Sequence, residues 1–177
     1  MIRTGEVRSA MVRVAAIAAV ALVLATPRIA AAQTAPAAPP QEDPLKLGAT
    51  VPTIILFQIH AEKTAEFESA WSAIRAGLAK STKDDEKAFG QSLVNLFKVD
   101  QPPADMGGQK IMIYVLQIDT PSTAISYQPG KIVYETMWKS GVTEGALLTR
   151  PEADAIFEKL KVSLYTINPP WKLAKVG

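Results

Sequence analysis

One histidine and no cysteine bound the chemistry of this chain of 177 residues. His60 is the one side chain whose unperturbed pKa lies near neutrality, so it is the natural acid–base candidate. The lack of cysteine excludes thiol nucleophiles, disulfides and thiolate-ligated metals. A transition-metal site would have to rest on carboxylates, and the sequence shows no suitable cluster. Asp84-Asp85-Glu86, flanked by Lys83 and Lys87, reads as a solvated charged turn. Tyr114, Tyr134 and Trp138 form a second candidate group. Aromatic bodies with polar tips suit an apolar ligand that needs one or two hydrogen bonds, and they serve equally as core. Gln58 shares a strand face with His60, and Asn95 adds an amide that would need partners when buried. The sequence holds no G-x-G-x-x-G, phosphate-binding loop, H-E-x-x-H or G-x-S-x-G, so no motif names a cofactor.

The elements that position these residues follow from apolar periodicity. Thr53–His60 (TIILFQIH) reads as a strand rich in β-branched and aromatic residues. Glu62 to Lys80 reads as a helix, because Phe67, Trp71, Ile74 and Leu78 fall on one stripe. Ser81 to Gly90 breaks the pattern, and Ser92–Val99 is a second strand. Gln101–Gly108 is a turn-forming connection, and Lys110–Asp119 is a third, very apolar strand. Within a long insert at 120–148, Lys131–Trp138 reads as a short helix ended by Gly141, and the insert is expected to fold over a cavity as a lid. Thr149 and Glu152 have capping-box spacing, and the apolar face of the helix they open runs from Ala153 to Leu164, with Asn168-Pro169-Pro170 as its stop. Trp171–Val176 is a final edge strand.

The order is βαββαβ with an insert before the second helix, an α+β arrangement of ferredoxin-like type. Its first and third strands are expected at the centre of the sheet. Two helices cover one face of such a sheet, yet both central strands are apolar on both sides: Ile54 and Leu56 oppose Ile55, Phe57 and Ile59. Strands of that kind are normally covered twice. A second copy of the sheet is the simplest cover, which predicts a homodimer.

TIILFQIH followed by AEKTAEFESAWSAIRAGL resembles the opening of dimeric α+β barrel proteins, such as antibiotic-biosynthesis-monooxygenase-like and stress-responsive A/B-barrel domains. The likeness spans roughly residues 52–119 and, more loosely, the last helix and strand. The insert at 120–148 is longer than such domains usually carry. The resemblance implies a dimeric barrel, and its activities range from cofactor-free oxygenation and haem degradation to none. Haem-degrading relatives use an Asn, a Trp and a His in one pocket; all three types occur here, but their order and spacing do not match. The expected function is binding of a small, mostly apolar molecule in a cavity between sheets. The alternatives are a cofactor-free or haem-linked oxygenase-like enzyme and a purely structural dimer.

The N-terminus sets the location. Arg3, Arg8 and Arg13 precede a twelve-residue apolar run from Val14 to Ala25, and Ala30-Ala31-Ala32 stands before Gln33. That is the plan of a cleaved export signal over residues 1–32, too short to anchor in a membrane. Met11 offers an alternative start. Residues 33–44 read as a Pro- and Ala-rich disordered leader, and 45–177 as one domain. The signal holds four of the 19 basic and one of the 17 acidic residues, which leaves 15 against 16 and a net charge of −1. Nucleic acid is therefore not an expected partner. The product is expected in the periplasm or outside the cell, off the membrane.

Overall fold

The computed structural model describes residues 42–48, 51–139 and 145–174. The expected signal, most of the leader and Gly141 lie outside them. The described residues form an α+β fold whose six strands make one antiparallel sheet with helices. No helix among them is long and apolar enough to cross a membrane.

The first strand, β1 (Thr53–His60), has the bounds its composition predicts. A 3-10 turn (Ala61–Lys63) leads into α1 (Thr64–Leu78), which buries Phe67, Trp71, Ile74 and Leu78 as their spacing requires. The charged segment that follows is a helix, α2 (Asp84–Ser92), and not a turn. Three acidic residues in its first turn suit the positive end of the helix dipole, and Phe89 and Gly90 pack inward. Gly90 lets α2 approach α1 closely, since a Cβ there would stand 2.9 Å from Leu78 Cβ.

The second strand is shorter than expected. Ser92 ends α2 and Leu93 is fully buried, so β2 keeps Leu96–Lys98 alone. The Trp71 indole N–H donates to the Leu93 carbonyl at 3.2 Å and holds this corner. The expected turn contains β3 (Ala104–Met106), joined to β4 (Gln109–Ile118) by Gly107 and Gly108 at φ 64° and 84°. Positive φ at both loop residues is what a tight two-residue hairpin demands.

The insert carries α3 (Pro129–Lys131), continued by a π-helical turn over Ile132–Met137. Before it, Asp43 accepts from the Leu45 N–H at 3.0 Å and pairs with Lys131 at 3.0 Å, tying the start of the described chain to α3. Burial pushes the Asp43 carboxyl up, but hydrogen bonds from Ser126, Lys131 and the Leu45 N–H outweigh it and hold the group below its ordinary range.

The last helix, α4 (Arg150–Ser163), opens with the expected capping box; the Thr149 N–H donates to Glu152 at 2.7 Å. Thr149→Ala is expected to cost about 1 kcal/mol, read as a lower denaturant midpoint. α4 ends earlier than the sequence suggests. Leu164 leaves it to begin β5 (Leu164–Ile167), which pairs with Phe57–Ile59 of β1. A strand slot beside β1 outcompetes one more helical turn for four β-branched or large side chains. Among the described residues the final strand, β6, covers Trp171–Lys172 and pairs with Thr53 and Ile54.

The sheet order is β2-β4-β1-β5, with β3 extending β4 and β6 extending β1. β1 and β4, the two strands expected at the centre, pair from Thr53–Ile118 to His60–Ile111. Thr53, Ile55, Phe57 and Ile59 alternate buried with the partly exposed Ile54, Leu56, Gln58 and His60. The buried set faces the core formed with α1 and α4. The other set belongs to an open face.

Candidate functional site

Cross-strand partners share a face of the sheet, so the register assigns the open face residue by residue. Leu56 pairs with Val115, which also pairs with Phe97, and Ile54 pairs with Gln117 and Trp171. Gln58 pairs with Ile113 and Thr166, His60 with Ile111, and Met106 with Gln109. None of these residues is charged. The charged strand residues Lys98, Asp105, Lys110 and Lys172 pair at the alternate positions, on the side that carries the helices. Phe97 and Trp171, at opposite edges, remain 55% and 56% exposed. Ile111 is buried, but Ile54, Leu56, Ile113 and Val115 keep part of their surface, so among the described residues the sheet face without charge is also the one without helices.

At one corner of this face the structure gathers two of the candidate residues. His60, the last residue of β1, meets Tyr165 edge to face, with ring centroids 5.7 Å apart and planes at 85°. Gln58 donates its amide N–H to Asn168 Oδ1 at 2.9 Å. Its own Oε1 is buried and accepts no hydrogen bond among the described residues. A buried, unpaired carbonyl is costly and marks a place where a donor is missing.

Tyr114 lies on the opposite, helix-covered face. It is 2% exposed and packs edge-on against Phe67 at 4.9 Å. Its hydroxyl donates a short hydrogen bond to Glu68, whose carboxylate also meets Lys98 Nζ at 3.4 Å. Desolvation, and then the bond and charge of Glu68, push the phenol far above its ordinary range despite an opposing bond from Thr64. Tyr114 is therefore a donor at neutral pH and holds its proton.

Tyr134 and Trp138 dock the insert onto α4. The Tyr134 hydroxyl donates to Asp154 at 2.8 Å, and its ring packs on Phe157 at 5.1 Å and Trp138 at 5.9 Å. Arg150, paired with Asp154 at 2.8 Å, lays its guanidinium 4.6 Å from the Trp138 ring centroid. Asn95 is exposed in the turn before β2, where its carbonyl accepts from the Gln117 N–H at 2.9 Å. The six candidates thus fall in four places: Gln58 and His60 on one strand face, Tyr134 against Trp138, and Tyr114 and Asn95 each apart. Asn95, Trp138 and His60 do not share a pocket.

Several residues that matter here were not singled out from the sequence. The apolar period predicts a helix at Tyr165, which the structure places in β5. Glu68 stood three positions before Trp71, beside the apolar stripe, and that spacing was its one signal. Among the described residues, no three His, Asp or Glu side chains gather as a metal site. No family model matches this chain, and no curated protein or solved structure matches it.

Proposed function

We propose that the chain is an exported protein of ferredoxin-like type that pairs two copies through their open sheet faces, and that a small, mostly apolar molecule is held between them. The strand order β2-β4-β1-β5 supports the ferredoxin-like reading. The observation that carries the dimer is the segregation of charge. Lys98, Asp105, Lys110 and Lys172 all fall on the helical side of the sheet, while Phe97, Val115, Leu56 and Trp171 line a face with no charge. A two-fold contact buries the same patch on both copies, so any charge on it is desolvated twice and a neutral face is favoured. Gln58 and His60 give the paired faces a polar corner, and the unpaired Gln58 Oε1 suits a ligand hydroxyl or amide.

Light scattering at micromolar concentration is expected to return the mass of a dimer. Val115→Glu, which places a carboxylate on the neutral face, is expected to return a monomer with unchanged far-ultraviolet circular dichroism. A monomeric wild-type protein refutes the proposal. His60 packed against Tyr165 also favours a second reading, a solid interface with no room for a ligand. A dimer that takes up no apolar fluorescent probe supports that one.

A further inference from the structure

We propose a second site on the other side of the sheet: the hollow between α1 and β2 binds a small carboxylate with an apolar body, and Arg75 is its anion-binding residue. The hollow has a volume of about 240 Å³ and reaches Tyr114; a separate one of about 450 Å³ lies on the other side of Arg75, between α1 and α2, and reaches Lys87. Ser72 and Arg75 border both hollows. The smaller one is below the size of drug-binding pockets and suits a fragment of one ring or a short branched chain. Trp71, Leu96 and Tyr114 contribute its apolar surface, and Trp71 and Tyr114 are each 2% exposed.

Charge selects the ligand class. The border of the smaller hollow carries Glu68, Lys98 and Arg75. Glu68 is already engaged, because it accepts a hydrogen bond from the Tyr114 hydroxyl and meets Lys98 at 3.4 Å. Arg75 forms no ion pair among the described residues. The surplus is one guanidinium beside an aromatic floor. Guanidinium binds carboxylate through paired N–H donors, and the Ser72 hydroxyl adds a donor one turn away on α1. A cationic ligand is disfavoured by Arg75 and Lys98, and an uncharged one leaves Arg75 unused. This site lies on the helical side and does not depend on pairing of the open faces.

Benzoate titrated into the full chain tests it, read by nuclear magnetic resonance at the three tryptophan indole N–H signals. Trp71 is a distinct reporter because its N–H is bonded to the Leu93 carbonyl. The Trp71 signal is expected to shift saturably with a dissociation constant on the order of millimolar, as suits so few ligand atoms. Trp138, which lies under Arg150, and Trp171 are expected to stay in place. Benzyl alcohol is expected to bind at least about tenfold more weakly, and Arg75→Gln to weaken benzoate by a similar factor, the scale of one charge-assisted hydrogen bond. Arg75 is exposed, so this variant keeps the fold. The proposal is overturned by no saturable shift, by equal shifts at all three tryptophans, by equal binding of the alcohol, or by an unchanged affinity in Arg75→Gln.

Discussion

Phe57→Ala is expected to destabilise the fold by about 4 kcal/mol, the upper part of the range for deleting a buried aromatic ring. Phe57 is fully buried at the middle of β1, flanked in the sheet by Tyr114 on one side and Ile167 on the other. Its ring meets Phe67 at 5.8 Å and Trp71 at 5.2 Å, so it joins the central strand to the inner stripe of α1. Removing it leaves a void beneath α1. The rings around it belong to a helix and a paired strand, neither of which can collapse into the gap without moving backbone. Urea unfolding checks the value, with a lower midpoint and an unchanged slope. The contrast with Phe97 makes the test sharper. Phe97 is 55% exposed on the opposite face, and within one chain Phe97→Ala is expected to cost less than about 1 kcal/mol. Comparable losses at the two positions would contradict the division of the sheet into a covered and an open face.

Glu86→Ala is expected to cost about 3 kcal/mol, through a charge left behind more than through packing lost. Glu86 is 4% exposed at the start of α2. One carboxylate oxygen accepts from Ser81 Oγ at 2.6 Å, and the other meets Lys139 at 3.1 Å and Lys83 at 3.6 Å. Lys139 is itself only 14% exposed and reaches this pair from a backbone with φ 59°, where its amine also donates to the Gly145 carbonyl. Alanine at position 86 strands that amine in a site with little water. Lys83, at 57% exposure, simply returns to solvent. Lys83→Ala is therefore expected to change stability by less than about 0.5 kcal/mol. The same urea series measures both variants, and equal effects would refute the assignment of Lys139 as the dependent partner.

These cases show how far the sequence could be read. The stripe of Phe67, Trp71, Ile74 and Leu78 marked α1 because a helix repeats its face every three to four residues. β1 kept its predicted bounds, and Thr149 with Glu152 marked the start of α4, because each signal is local. The end of α4 was not legible. Leu164 continues the helical apolar period, and its place as a strand depends on the vacancy beside β1. α2 was missed for a related reason. Its charges read as solvent-facing, whereas Glu86 is buried by partners at Ser81 and Lys139. The candidate site fared worst, since residue type nominates a side chain without giving its company. Tyr114 met Glu68, forty-six positions away, on the covered face, while Tyr134 and Trp138 were taken up by α4.

The sequence by itself determined the α+β composition, the two central apolar strands and a side-chain set with one histidine and no cysteine. Those are properties of composition and short-range period, and they hold wherever the elements come to rest. The tertiary structure alone decided that the strand charges gather on the helical side and that, among the described residues, a neutral apolar face carries no helix. Shifting a strand by one residue sends each of its side chains to the other face. Register, set by pairing between distant segments, therefore decides which surface is left for a partner.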